Sequence, residues 1–157
     1  MIMTSNNAAE IFNLELQNYR RYSYLIQVCE EKIEKYENDA MNLKSPKTDR
    51  VGENTCTIEF DLLEILRLLD IEKTKSETYS EMQKWILDVV NGMDNKTLRP
   101  DIVRIFLKGE DRRKVAGDRG VQYNLMNIQI RKAIAKAVKP NDITRYNKIR
   151  RQMDSFE

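Results

Sequence analysis

Residues 106–133 read FLKGEDRRKVAGDRGVQYNLMNIQIRKA, and their spacing decides the expected fold. Gly109 precedes a short polar segment, and the pair Val115–Ala116 follows it six and seven residues later. Gly120 comes four residues after that pair, and Val121 opens a longer segment with apolar residues at helical intervals. Glycine is favoured where a helix ends in a tight turn. The stretch therefore predicts a short helix, a turn at Gly120 and a longer helix.

Three helical segments are predicted in this half of the chain. The first spans 100–109, because Pro100 starts it and Gly109 stops it. The second runs from 110 or 111 to about 117, and the third spans 121–138. Pro140 breaks the third, and the tail over 141–157 is expected to contain one last helix. The inward stripe expected for the third segment is Leu125, Met126, Ile130, Ala133, Ile134 and Ala137.

Two short helices, a glycine turn and a longer helix are the parts of a helix-turn-helix, whose last helix lies in the major groove of DNA. Amide and guanidinium side chains can bind base edges, whereas flanking cations bind phosphates without sequence information. The residues predicted to contact bases are Gln122, Tyr123, Asn124, Asn127 and Arg131. Those predicted to contact phosphates are Arg112, Arg113, Lys114, Arg119, Lys132 and Lys136.

Charge divides the chain into two unlike halves. Residues 1–95 contain 11 Lys+Arg and 18 Asp+Glu, a net of −7, whereas residues 96–157 contain 16 and 7, a net of +9. Clustered cations gain free energy by releasing the counterions condensed on nucleic acid. We therefore predict an acidic helical arm over 1–95 and a basic DNA-binding domain over 96–157. Two solvated faces that fold onto each other are the alternative.

The arm has the pattern of long amphipathic helices. Residues 8–43 contain no Gly or Pro, and their apolar residues alternate at intervals of three and four, as in coiled coils. The sequence predicts a helix over about 8–43, a loop over 44–57 and one helix or two over 58–90, paired as an antiparallel hairpin or self-associating. Trp85 is expected to pack in the core between arm and basic domain. The apolar positions are Tyr19, Tyr22, Ile26, Cys29, Ile33, Tyr36, Ala40 and Leu43, then Ile58, Leu62, Ile65, Leu66, Leu69, Tyr79, Met82, Trp85, Ile86 and Val89.

Composition narrows the class of protein. With 33% charged residues, five Gly and three Pro, the chain is expected to be all-α, and a β-sandwich or barrel is nearly excluded. No apolar run is long enough for a membrane span and no signal peptide is evident, so a cytoplasmic protein is expected. Without histidine, and with Cys29 and Cys56 far apart, neither a metal site nor a catalytic centre is predicted, and no cofactor. Both cysteines are expected to be reduced thiols.

The stretch Phe106-Leu107-Lys108-Gly109, then Arg113-Lys114-Val115-Ala116, Gly120-Val121, Met126, Ile130 and Lys132-Ala133, resembles the region-4 helix-turn-helix of bacterial sigma factors. With a helical arm in front, the layout is similar to the ArpU/RinA-type late-transcription regulators of phages that infect Gram-positive bacteria. The resemblance implies sequence-specific binding of double-stranded DNA and control of phage late genes, in the cytoplasm of a bacterial host. It covers about thirty residues.

Three hypotheses follow for the function. The first is a DNA-binding transcription regulator, a phage late-gene activator, that forms a homo-oligomer, with a dimer favoured. The second is a phage interaction factor that binds host RNA polymerase or another host protein, since a helix-turn-helix can also be a docking surface. The third is a small terminase-like DNA-packaging subunit, although those proteins usually place the DNA-binding part first.

Overall fold

The computed structural model describes residues 2–44 and 55–156, and every regular element in those ranges is helical. The protein is therefore all-α, as predicted. The elements are α1 (Ala8–Lys44), α2 (Thr55–Asn91), α3 (Arg99–Ile102), a π-helical turn (Val103–Leu107), α4 (Arg112–Arg119), α5 (Tyr123–Ala137) and α6 (Pro140–Asp154).

The two long helices have 37 residues each and lie side by side. Their directions are opposite, because Phe12 near the start of α1 meets Trp85 near the end of α2, while Glu37 far along α1 meets Lys73 earlier in α2. The choice left open for residues 58–90 is decided in favour of one helix. Of the predicted loop over 44–57, residues 45–54 lie outside the described residues, and its edges are helical.

Helix α2 continues through the polar stretch 70–78, where polar side chains make contacts within α2 and with α1. The hydroxyl of Thr78 donates to the carbonyl of Thr74, 2.8 Å away, within the helix. Glu72 is buried with the ammonium groups of Lys32 and Lys75 each 3.8 Å away. Burial, together with Glu72, raises the pKa of the Cys29 thiol to about 11.

The predicted apolar positions of the arm are buried or half-buried, with one exception. Leu66 was expected on the inner stripe but is 39% exposed. Successive helical residues are 100° apart, so Leu66 lies 100° around the helix from Ile65 and 60° from Leu69, at the edge of the stripe that packs against α1. The pattern of the remaining positions is confirmed.

One buried cluster joins the arm to the C-terminal helices, and it continues across position 95. Trp85 is fully buried at its centre, as predicted. Its ring centroid lies 5.8 Å from that of Phe12 and 5.0 Å from that of Tyr146, and its indole nitrogen donates to the carbonyl of Asp142 at 3.0 Å. Helix α6, which supplies Tyr146 and Asp142, is thereby fixed to both long helices.

A buried carboxylate lies in the same region. Glu15 is 2% exposed and accepts hydrogen bonds from the hydroxyls of Tyr22 and Tyr146, the latter at 3.2 Å. Burial first, and then the charge of Glu15, raises the pKa of both tyrosines well above their usual value. The network ties α1 to α6 by polar contacts inside an otherwise apolar core.

The α1–α2 pair thus has two ends. We call residues 8–22 with 78–91 the proximal end, where α6 and α5 pack, and residues 26–44 with 58–75 the tip. Within the described part of the tip, the buried apolar side chains are Cys29, Ala40 and Leu69. No helix in the described ranges is long and apolar enough to cross a membrane.

Candidate nucleic-acid interface

The turn between α4 and α5 has the geometry that its glycine predicts. Gly120 has a φ of 71°, in the left-handed region that glycine adopts most easily. The amide of Gly120 donates to the carbonyl of Gly117 and that of Val121 to Ala116, both at 3.1 Å, which is a Schellman motif. Ala116 is 2% exposed, so the C-terminal half of α4 is held closely against the core.

Helix α4 begins two residues after the earliest predicted start. Asp111 is its N-cap, and the Asp111 carboxylate accepts a hydrogen bond from the amide of Arg113 at 3.1 Å. The helix extends to Arg119, beyond the predicted end near Gly117. Capping at both ends gives this eight-residue helix a fixed position in front of α5.

A second left-handed glycine and an arginine fix the connection into α4. Gly109 has a φ of 73° and follows the π-helical turn, and the side chain of Arg20 from α1 packs against its backbone. Arg104 donates to Glu110 at 2.9 and 3.0 Å and to Asp118 at 2.7 Å. These hydrogen bonds hold the pKa of both carboxyls below their usual range and raise that of Arg104. The guanidinium therefore links the π-helical turn to both ends of α4.

The outward face of α5 carries polar and apolar side chains together. Asn124 and Arg131 are exposed there, as is Gln122 just before the helix. Leu125 and Ile128 are 46% and 47% exposed. Leu125 was expected on the inward stripe, and that expectation is wrong. Met126 is fully buried, and the residue before it is rotated by 100° away from the core. The other predicted inward residues, Met126, Ile130, Ala133, Ile134 and Ala137, are buried or half-buried.

Two of the predicted base-contacting residues are half-buried and held by arginines of α4. The guanidinium of Arg113 lies over the ring of Tyr123, 4.6 Å from its centroid. Arg112 lies 5.1 Å from the ring centroid of Phe106 and donates to the amide oxygen of Asn127 at 3.1 Å. These contacts use Asn127 and Arg112 within the protein, whereas Asn124 and Arg131 point outward.

The predicted phosphate-contacting residues also fall into two groups. Arg119 forms an ion pair with Asp101, a carboxylate that is 3% exposed, so its charge is balanced inside the fold. Arg113, Lys114, Lys132 and Lys136 are exposed, the first two on α4 and the others on α5. Lys132 lies on the outward face of α5 between Ile128 and Leu125, and Lys136 lies at the edge of that face.

Two clefts border α5. The lysine cleft, about 580 Å³, has Lys132, Lys136 and Gln129 on its α5 wall and the segment 93–98 opposite. The second cleft, about 420 Å³, lies on the other flank of α5 and is lined by Arg131 and by residues of α1. The polar residues of α1 in that cleft are Glu10, Asn13 and Gln17.

Sequence reasoning missed Ile128, Asn13 and Gln17. Ile128 could have been found from the helical wheel, because it lies two residues before the inward Ile130 and hence about 160° around the helix. Nothing in the local sequence indicates that Asn13 and Gln17 of α1 lie beside α5, because they are separated from it by more than a hundred residues. The structure therefore brings together one polar surface from α1, α4 and α5.

Comparisons of the chain with family models, curated proteins and solved structures found no match. The assignment of a role to this surface therefore depends on its geometry and chemistry.

Proposed function

We propose that the chain is a sequence-specific DNA-binding protein in which α4, the Gly120 turn and α5 form a helix-turn-helix. The observation that supports it best is the placement of α5, whose outward face stands between two clefts with exposed cations beside them. A helix fits into the major groove, which is about 12 Å wide, with a phosphate backbone on each side. The lysine cleft is where one of those backbones would lie, with Lys132 and Lys136 beside it.

In this proposal the outward residues of α5 contact base edges. Asn124 suits adenine, Arg131 suits guanine, and the exposed Ile128 suits the methyl group of thymine. Gln122 stands at the start of the helix, where recognition helices approach the bases. Asn127 and Tyr123 support this face through their arginine partners.

The cations have a positioning role. Lys132 and Lys136 from α5, and Arg113 and Lys114 from α4, would bind phosphates and set the register of the helix on the duplex. Arg119 instead stabilises the fold through Asp101. The proposal gives this surface a binding role and no catalytic one. Control of phage late genes, as the resemblance to ArpU/RinA-type regulators implies, is the biological role that we propose.

The test is selection of bound sequences from a random duplex pool, followed by titration of variants on the selected site and on scrambled DNA. Arg131→Ala is expected to lower affinity for the selected site by about 5- to 150-fold, which corresponds to ~1–3 kcal/mol, with little effect on scrambled DNA. Lys132→Ala is expected to weaken both and to reduce the salt slope by about one. Arg151→Ala, an exposed arginine on α6, is the matched control.

One outcome would overturn the proposal as a whole, and two others would each remove one of its contacts. Absence of DNA binding at low salt would exclude a DNA-binding role, and equal losses for Arg131→Ala on every sequence would exclude base contact by that residue. Indifference to Lys132→Ala would exclude phosphate contact from the lysine cleft.

A second candidate function is protein docking by the same face. Leu125 and Ile128 favour it, because two large apolar side chains that are nearly half exposed on one helix face are typical of protein interfaces. Host RNA polymerase is the partner that we would test first. Binding that is abolished by Leu125→Glu and unchanged by Arg131→Ala would support docking over DNA recognition.

A further inference from the structure

The outer face of α2 at the tip is apolar. Phe60, Leu63 and Leu66 are 70%, 67% and 39% exposed, and they recur every three residues. Phe60 and Leu63 lie on the side of α2 away from Ile65 and Leu69, which pack toward α1. Leu66 lies at the edge of that side, about 60° around the helix from both Leu63 and Leu69. Single exposed apolar residues are common, but three large ones within two turns, spread over about 120° around the helix, form an apolar face that has no partner among the described residues.

Charged residues border this face in a symmetric way. Glu59 is exposed on the same side four residues before Leu63, and Arg67 is exposed four residues after it. Arg67 hydrogen-bonds Glu64 of its own helix at 2.6 and 3.0 Å. A guanidinium has five donors, so it can bind a second carboxylate at the same time.

We propose that two copies of the chain associate through this face, with the α2 helices antiparallel and a two-fold axis at Leu63. In that register each residue faces the residue of the partner subunit that lies equally far from Leu63 in the opposite direction, so the two residue numbers add up to 126. Phe60 then packs against Leu66 of the partner subunit, and Glu59 forms an ion pair with Arg67 of the partner subunit. Such self-complementarity is what an isologous interface requires. A face that was made for an unrelated partner would have no reason to be symmetric about one residue.

The expected dimer is weak. One helix pair with three apolar side chains from each copy buries less than the ~1,200 Å² of a standard interface. Residues 58–70 also contain four acidic side chains and one arginine, a net of −3 per copy, which opposes association. We therefore expect a monomer–dimer equilibrium at micromolar concentrations, strengthened when both copies bind one DNA molecule.

If the chain binds DNA as proposed, the antiparallel dimer also sets the spacing of the two DNA half-sites. Leu63 and Trp85 are 22 residues apart, which is about 33 Å along a helix that rises 1.5 Å per residue. An antiparallel dimer therefore places the two Trp85 positions, against which the C-terminal helices α6 pack, about 66 Å apart along α2. Two turns of B-DNA span about 68–72 Å. Selected DNA sites are thus expected to contain two half-sites about two turns apart.

The test of the dimer needs no DNA. Sedimentation velocity of the full chain from about 1 to about 100 µM is compared for the wild type, Glu59→Arg, Arg67→Glu and the double variant. Each single variant opposes like charges across the axis and is expected to weaken self-association at least about 10-fold. The double variant exchanges the charges and is expected to recover it.

Mixing the two single variants gives the sharpest result. Glu59→Arg and Arg67→Glu are each expected to be monomers, yet together they form complementary pairs at both positions and are expected to form a heterodimer. Leu63→Lys is expected to abolish all association, whereas Tyr24→Lys, at a 64% exposed position on α1, is the matched control. Helical content from circular dichroism verifies that each variant is folded.

A wild type that stays monomeric up to the highest concentration would overturn the inference, and so would single variants that dimerise normally or a mixture that stays monomeric. Because the measurement contains no DNA, failure here leaves the proposed DNA binding intact. Conversely, a dimer that binds no DNA would overturn the proposed function alone.

Discussion

At the proximal end of the α1–α2 pair, α6 covers the groove between the long helices and places Tyr146 against Trp85. Just after α6, the ring centroid of Phe156 lies 6.2 Å from that of Tyr79. At the tip, the described contacts between helices run between α1 and α2, and one of them is an ion pair between the exposed charges of Lys73 and Glu37, 3.7 Å apart. Within the described residues, the same two helices therefore pack in a three-helix core at one end and only against each other at the other end.

This difference indicates where stability is concentrated. Burial of large apolar side chains supplies most of the favourable free energy of folding, whereas exposed ion pairs contribute little. Among the described residues no third helix packs on the tip, so this end depends on the rest of the fold to stay in place. The proximal end should therefore control global unfolding, and the tip should open locally at lower cost.

The largest effect is expected from Trp85→Ala, which breaks the proximal end. Loss of a fully buried indole leaves a cavity between α1, α2 and α6, and we expect a loss of ~3–5 kcal/mol in the free energy of unfolding. Urea unfolding followed by circular dichroism measures it. Tyr24→Ala, at a 64% exposed site, is the control and should change it by less than ~0.5 kcal/mol. Similar losses for the two variants would contradict the comparison.

A smaller loss is expected from Tyr22→Phe, which removes the hydroxyl that donates to buried Glu15. We expect a loss of ~1–3 kcal/mol, because the carboxylate then loses a partner inside the core. Tyr24→Phe removes an exposed hydroxyl and serves as the control. Equal stability of Tyr22→Phe and wild type would show that the carboxylate does not need this donor.

The same tyrosine gives a pH dependence. Its pKa is raised by folding, so the native state keeps a proton that the unfolded chain loses above its ordinary pKa of about 10. The contribution to stability is complete below about pH 10 and is lost as the pH rises further. The free energy of unfolding, measured at each pH from 8 to 11, should therefore fall less steeply with pH for Tyr22→Phe than for wild type. The same pH dependence for both proteins would show that the hydroxyl of Tyr22 does not cause the fall.

The smallest effect concerns dynamics and sharpens the comparison. Native-state hydrogen exchange should show α2 amides at 82–90 opening only with global unfolding, because residues such as Ile86 and Val90 are fully buried. Amides at 62–69 should exchange by local opening, at least about 10-fold faster. Uniform protection along α2 would show that the tip shares the stability of the proximal end.

The sequence motif predicted the backbone of the helix-turn-helix segment better than the side-chain contacts on its surface. The glycine spacing correctly predicted the turn at Gly120, since a left-handed residue leaves a local signal. It could not predict that Arg112 would bind Asn127, because that contact depends on how α4 and α5 are packed. The outward face was therefore predicted only in part, with Asn124 and Arg131 exposed and Leu125 on the wrong side.

By itself, the sequence determined the helical class, the bounds of the long helices to within a few residues and the α1 seam. Helical periodicity and the absence of Gly and Pro are local properties, so a single segment contains them. Only the tertiary structure decided that α2 is one helix, that Asp101 is buried with Arg119, and that α1 lies beside α5. The reason is that burial is a property of neighbours, and these neighbours come from distant parts of the chain.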